Sequence, residues 1–281
     1  NQYESRKKKE SRYHISFHPE GGALLSGVEN TVAYKAIDDL GRSISVYGEL
    51  YDSKKNMILS TKSLHAGMGS FKFIPQQSEK YQFKLFAGGR EKSFDLPESI
   101  PMGVNLKVSH LGSDSIIVEL LSNIKQNLPP NTIYHLLAHT RGKVRFTGTF
   151  DLSSPKSLYI PKYLFPDGIC HLTLFNYRSS AISERLIFIK NSNTPSFSVS
   201  TSSNKYHKRE KAVAQVSLNA LNGSIPRGNF SMSVVANYDF EHNENILSNL
   251  LINSDLKSRV ENPGYYFYET DSKKEKELDL L

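Results

Sequence analysis

Residues 80–86 read Lys-Tyr-Gln-Phe-Lys-Leu-Phe. In a strand, successive side chains point to opposite faces, so Tyr81, Phe83 and Leu85 share one face and Gln82, Lys84 and Phe86 the other. Outward from this segment the same period-two pattern recurs at Tyr13–Phe17, Thr31–Ile37, Ile44–Tyr51, Met57–Ser60 and Gly69–Ile74. Turn chemistry separates the runs: His18-Pro19-Glu20-Gly21-Gly22, Asp38-Asp39-Leu40-Gly41-Arg42 and Asp52-Ser53-Lys54-Lys55-Asn56. Short strands with turn signals every ~8–12 residues predict an antiparallel β-sandwich over 14–96.

Leu96-Pro97-Glu98-Ser99-Ile100-Pro101 interrupts the alternation and marks a boundary. A second series follows at Val104–Val108, Ser115–Leu120, Thr132–His139, Lys143–Phe150, Ser157–Ile160, Ile169–Tyr177 and Glu184–Ile189. It predicts a second sandwich over 97–192. The linker Asn191–Pro195 leads to a third, partial β segment over 193–281, with strands at Phe197–Val199, Ala212–Leu218 and Asn229–Val235. Leu221–Gly228 weakly echoes Leu40–Gly48, which suggests tandem domains of one type. The apolar spacing of Ile246, Leu247, Leu250 and Leu251 predicts one amphipathic helix over 243–260, with a weak point at Asn253-Ser254-Asp255. Pro263-Gly264 ends it, Tyr265, Tyr266, Phe267 and Tyr268 cluster, and a further helix starts within Asp271–Leu281. The fold class is therefore all-β, in tandem sandwiches with a short helical segment near the C-terminus.

The chain has 281 residues and a net charge of +7, with 38% hydrophobic and 22% charged residues, enough to bury cores. The basic excess sits in an arm at 1–13, through Arg6, Lys7, Lys8, Lys9 and Arg12, and mildly in the middle of the chain. Nucleic-acid recognition wants a concentrated basic patch, and a solvated linker explains this arm better. No apolar run approaches the ~20 residues of a membrane helix. A single cysteine rules out an intrachain disulfide and any multi-cysteine metal site. Because the sequence starts at Asn1 and breaks off among leucines, we expect a segment of a longer, processed chain.

The candidate chemistry is thin. His135 and His139 would share a helix face, but on a strand they stand ~13 Å apart, too far for one ion. His14 and His18 repeat that spacing. Gly67-Met68-Gly69-Ser70-Phe71 lacks the lysine and the following helix of a phosphate loop. Cys170 alternates with Leu172 and Leu174 and reads as a buried structural thiol rather than a nucleophile. Tyr13, Tyr34, Tyr47 and Tyr51 suit a sugar-binding face less well than they suit core packing, and the chain has no Trp. We expect no catalytic, cofactor-binding or metal-ligating residue.

Two passages, His18–Arg42 and His65–Pro75, together with Ile246–Phe267, resemble the macroglobulin-like (MG) domain proteins of Bacteroidetes. In that family a Phe-x-Pro-Glu-Gly-Gly start and a His-x-Gly-Met-Gly-x-Phe strand recur. Here they are Phe17, Pro19, Glu20, Gly21 and Gly22, and His65, Gly67, Gly69 and Phe71. The resemblance implies fibronectin-like sandwiches in series within an exported, envelope-associated protein. It also implies a TonB-dependent-receptor-type plug domain downstream, with partners among the other domains of the same chain and outer-membrane or TonB-linked proteins. Alpha-macroglobulins that trap covalently use a Cys-Gly-Glu-Gln thioester; Cys170 is followed by His171-Leu172-Thr173, so no catalytic residue carries over. The motif residues are expected to be structural, and Tyr265, Tyr266, Phe267 and Tyr268 are the candidate interaction residues. Three classes stay open: an interaction module of an envelope assembly, a sugar- or peptide-binding part of an uptake system, and an enzyme.

Overall fold

The computed structural model describes residues 13–124, 132–152, 157–191, 196–219, 229, 231–232, 244–268 and 272–281. The basic arm before Tyr13, the turns at 128–131 and 153–155, most of the 191–195 linker, the 221–228 echo and most of the 229–235 strand lie outside these residues. The chain divides into two compact units, 1–189 with 242–281, and 190–241.

The larger unit contains the two expected β-sandwiches. In the first, β1 (Tyr13–Pro19), β3 (Asn30–Asp38) and β6 (Met68–Phe73) form one antiparallel sheet in the order β1-β3-β6. The facing sheet is β5-β4-β7-β8, from β4 (Tyr47–Tyr51), β5 (Met57–Lys62), β7 (Gln82–Ala87) and β8 (Arg90–Asp95). Alternation does what it predicts. Val32, Tyr34 and Ala36 from β3 meet Leu50, Phe83 and Leu85 from the other sheet, all at most 1% exposed. Phe71 stacks on Phe83 at 5.7 Å, and Phe17 meets the same ring edge-on at 5.4 Å. Each such fully buried side chain stabilises the fold by ~1.5–3 kcal/mol relative to exposure.

The first series adds β8 and two short strands, at Leu24–Leu25 and Ser99–Ile100, to those expected, and one expected strand is shorter. Ile44–Tyr51 is not continuous: regular pairing in β4 begins at Tyr47. The preceding residues cross between sheets, with the Ile44 N–H donating to Ala36 and the Val46 N–H to the Ser63 hydroxyl. Val46 and Leu50 still reach the core.

The second sandwich pairs the sheet β10-β11-β14, from β10 (Val104–Ser109), β11 (Ser115–Ser122) and β14 (Leu158–Pro161), with β13-β12-β15-β16. The latter holds β12 (Ile133–Thr140), β13 (Lys143–Asp151), β15 (Gly168–Phe175) and β16 (Ala181–Ile189). Its core is mostly aliphatic, built on Leu106, Ile116, Val118, Leu136, Ile160, Leu172 and Leu174, with Tyr134, Phe150 and Phe165 beside them. The β12–β13 hairpin closes on Arg141-Gly142, both at positive φ (49° and 73°), the conformation a two-residue turn of primed type requires.

The C-terminal stretch corrects two expectations. A helix over 243–260 does not form: the stretch is α-helical over Ile246–Ser248 (α1) and widens into a π turn over Asn249–Asn253. Asn245 caps its start, its side chain accepting from the Ser248 N–H at 2.8 Å. It stops at the polar Asn253-Ser254-Asp255, where side chains compete for backbone groups. The stretch also does not group with the third segment: 242–281 folds back into the larger unit. It continues through α2 (Tyr265–Tyr268) and α3 (Ser272–Asp279). In the smaller unit, β17 (Ser196–Thr201) and β18 (Ala214–Asn219) form an antiparallel hairpin.

Candidate functional site

The Pro19-Glu20-Gly21-Gly22 motif leaves the end of β1 and turns against the second sandwich. Gly21 has a φ of 80°, and a Cβ there would lie 2.7 Å from the Asn105 Cβ and from the Ser183 hydroxyl. Only glycine lets the backbone come this close in this conformation. Asn105 donates its amide to the Ala23 carbonyl at 2.6 Å and to the Glu20 carbonyl at 3.3 Å. The Ser183 hydroxyl donates to the Gly21 carbonyl and accepts from the Leu106 N–H, both at 2.9 Å. Glu20 itself accepts from the Val108 N–H at 3.1 Å and lies 3.8 Å from the Arg185 guanidinium. A second seam runs beside it: two-residue strands β2 (Leu24–Leu25) and β9 (Ser99–Ile100) pair in parallel, and the Asn123 amide donates to the Ser26 and Ile100 carbonyls.

The second motif sits at the other end of the first sandwich. Gly67, at φ 70°, faces the Ala36 carbonyl so closely that a Cβ would collide with backbone. Gly69 lies against the Tyr34 ring, and Phe71 is in the core. His65 is half-buried and takes the C-terminal stretch on its face. Tyr265 stacks on it at 4.1 Å with 8° between the planes, and Tyr266 meets it edge-on at 5.6 Å.

Residues 244–268 and 272–281 thus form a strap across both sandwiches. Ile252, Val260 and Tyr266 are buried against Ile169 and Phe188 of the second sandwich, with Phe267 edge-on to Phe188. Acidic residues of the strap meet partners on the sandwiches. Asp255 faces Arg141 at 3.3 Å. Glu261 accepts from the Ser43 hydroxyl and lies 3.9 Å from the Lys35 ammonium. Asp279 accepts from Arg185 at 2.8 Å and pairs with His110 at 2.9 Å. Burial alone would raise the Asp279 pKa, but the His110 hydrogen bond and the Arg185 charge hold it below the usual carboxylate range. The fully buried Glu277 accepts from the Tyr265 hydroxyl at 2.9 Å. Burial pushes the Tyr266 phenol up, and its hydroxyl has no hydrogen-bond partner among the described residues.

The structure therefore brings Glu20, Gly21 and Gly22 to one end of a junction, His65 to the strap and Gly67 against the Ala36 and Ile44 backbone, rather than to one pocket. Of the four candidate interaction residues, Tyr266 is buried, Tyr265 and Phe267 are half-buried, and only Tyr268 is exposed. Sequence reading missed Asn105, His110, Ser183, Arg185 and Asp279. A signal existed for two of them: Ser183 and Arg185 fall on the same alternate row of β16 as the core residues Ile187 and Ile189.

Elsewhere among the described residues, chemistry is scarce. Cys170 is fully buried and its thiol is pushed up to about 12 by that burial, which makes it a poor nucleophile. His139 and His171 are directly opposed in β12 and β15 and stack at 4.7 Å, whereas His135 pairs with Phe175. Among the described residues, no group of three His, Cys, Asp or Glu is arranged to hold a metal. A cleft beside the junction, lined by Glu20, Glu29, Thr31, Leu106, Lys107 and Leu121, offers about 100 Å³. Small-molecule sites occupy ~300–1,000 Å³. No helix among the described residues is long and apolar enough to cross a membrane.

No protein-family model and no curated protein matches the chain. Among solved structures it is similar to Salmonella alpha-2-macroglobulin reacted with methylamine, at 12% identity and a TM-score of 0.25, over 73% of this chain and 18% of that one. It is also similar to the BSP domain of a biofilm-associated protein, at 10% identity and a TM-score of 0.29, over 64% of this chain and 30% of that one. A two-domain fibronectin type III segment of chicken tenascin aligns at 12% identity and a TM-score of 0.22, over 64% of this chain and 98% of that one. The chain spans less than a third of the length of the first two.

Proposed function

We propose that the chain is a non-catalytic structural and interaction module of a larger exported cell-envelope protein. One observation carries this reading. Glu20, Ser183 and Asp279 are committed to joining one part of the fold to another, and the cleft that Glu20 lines offers about 100 Å³, less than a small substrate needs. Catalysis needs a nucleophile or base aimed at a bound substrate. Glu20, Arg185, Asp279 and His110 are instead aimed at one another or at backbone groups. The paired sandwiches then act as one rigid body that presents loops and sheet edges to a partner, where recognition residues usually lie. In its finer form, the module is a macroglobulin-like segment of a Bacteroidetes-type outer-membrane protein that continues into a TonB-linked plug. Its partners are the other domains of the same chain and outer-membrane or TonB-linked proteins.

A second reading, the sugar- or peptide-binding part of a TonB-dependent uptake system, is favoured by two exposed aromatics on the second sandwich. Tyr159 and Tyr163 are 67% and 79% exposed. Amphipathic aromatic rings of this kind are common at recognition surfaces. The purified chain, screened against peptide, ester, glycoside and phosphate substrates with and without zinc, is expected to turn over none. Turnover lost on mutating one polar cluster overturns the first reading. Glycan-array binding lost in Tyr159→Ala replaces it with the second.

A further inference from the structure

The strap is fastened to the two sandwiches by chemically different anchors. On the second sandwich, α3 holds on through Asp279, bound by the permanently charged Arg185 and by His110. On the first sandwich, the Gly264–Tyr268 turn holds on through a neutral aromatic contact, His65 enclosed by Tyr265 and Tyr266. We propose that the strap is a proton-operated latch. Protonating His65 in mild acid loosens the turn at Tyr265–Tyr268 from the first sandwich, while α3 stays anchored on the second.

The groups that face His65 come from both sides of the contact. Lys35 of β3 and Lys273 of α3 oppose a positive charge on the ring; Glu261 and the buried Glu277 favour it. Lys274 lies over the far side of the Tyr265 ring at 4.9 Å. The Glu277 carboxylate is already engaged by the Tyr265 hydroxyl and lies 3.7 Å from Lys273, and Glu261 by Ser43 and Lys35. Enclosure by the two tyrosines strips water from the imidazole, which penalises the charged form. Attraction between an imidazolium and the tyrosine faces acts in the opposite sense. Burial is the largest influence and holds the His65 pKa below its ordinary 6.5.

The sign follows. A base whose pKa is lower in the docked state binds fewer protons docked than free. The docked turn is fully stabilised above pH 6.5 and loses that stabilisation as the pH falls below 6.5 toward the lowered value. Asp279 behaves as a carboxylate with a lowered pKa, so its anchor persists above pH 3.8 and fails only in stronger acid. Between these windows the turn is loosened at its contact with the first sandwich while Tyr266, Phe267 and α3 stay packed on the second, and His65 and the face of Tyr265 that covers it become accessible.

The test is hydrogen exchange of the whole chain read by mass spectrometry at pH 7.5 and pH 5.5, corrected for the intrinsic exchange rate. Protection of peptides covering 264–268 is expected to fall several-fold at pH 5.5, up to about tenfold for each unit by which the His65 pKa is depressed. Protection of 272–279 is expected to stay constant. His65→Gln, which cannot take up a proton in this range, is expected to abolish the difference. A second measurement does not depend on that variant folding: the His65 pKa in the unmodified chain, followed by NMR. A value at or above 6.5 overturns the proposal. So does protection of 264–268 that is unchanged or increased at pH 5.5, or a pH response that survives in His65→Gln.

Discussion

The imidazole of His65 lies flat on the phenol of Tyr265, 4.1 Å between centroids and 8° from parallel, across 200 residues of sequence. One partner belongs to a glycine-flanked turn of the first sandwich, the other to the returning strap. The contact therefore reports whether the strap is in place. His65→Ala removes the stack and leaves Tyr266 underpacked. Aromatic pairs contribute ~0.5–1.5 kcal/mol beyond area burial. We expect a loss of about 1–2 kcal/mol in urea unfolding at pH 7.5, and a smaller loss in Tyr268→Ala, whose ring is 53% exposed.

The junction residues should be costlier. Ser183 both donates to Gly21 and shields the Leu106 N–H, so Ser183→Ala leaves two buried backbone groups unpaired. An unsatisfied buried group costs ~1–3 kcal/mol. Asn105→Ala removes the bonds to Glu20 and Ala23 by the same logic. The two residues converge on the same turn, so a double-mutant cycle by denaturant unfolding should show non-additivity of about 0.5 kcal/mol or more. Additive effects would mean that the turn is not a single unit.

Glycine substitution separates turn geometry from loop length. Gly21→Val meets Asn105 and Ser183, and Gly67→Val meets the Ala36 carbonyl, both at positive φ. Each should lower stability by at least ~1 kcal/mol. Gly41→Val, also at positive φ but with nothing within 4 Å, should cost less than either. Thermal melting of the three variants ranks them.

Acid should act through Asp279. Its pKa is lowered by His110 and Arg185 against the effect of burial. Such a carboxylate contributes stability above pH 3.8, lost as the pH falls through the depressed value. Asp279→Asn should therefore flatten the acid limb of the stability curve below pH 4, measured by urea unfolding at successive pH values.

Much of the fold was legible because both sandwiches are half-buried sheets, whose alternation is written directly into runs such as 80–86. β8 was not, since Arg90–Asp95 is a charged edge strand with only Phe94 to pack, and edge strands carry polar side chains as protection. β2 and β9 are two residues each, too short to show a period. The helix over 243–260 was overestimated because apolar spacing persists past Asn253, although those later residues bury themselves through irregular turns. Glu20, Gly21, Gly22 and His65 were read as structural from motif alone. Their partners Asn105, Ser183, Arg185 and Asp279 are distant in sequence and polar, and no local period announces which polar residues will meet.

We expect the two sandwiches to move as one body because the Glu20–Gly22 turn and the strap join them. Spin labels at Lys54→Cys and Arg178→Cys, both in exposed turns, report the distance between sandwiches by pulsed electron resonance. Cys170 stays unlabelled because it is buried and its thiol is held protonated. A single narrow distance distribution is expected at pH 7.5, broadening when Asn105→Ala and Ser183→Ala are introduced together. A distribution that is already broad in the doubly labelled parent, or one that the junction substitutions leave unchanged, would contradict it.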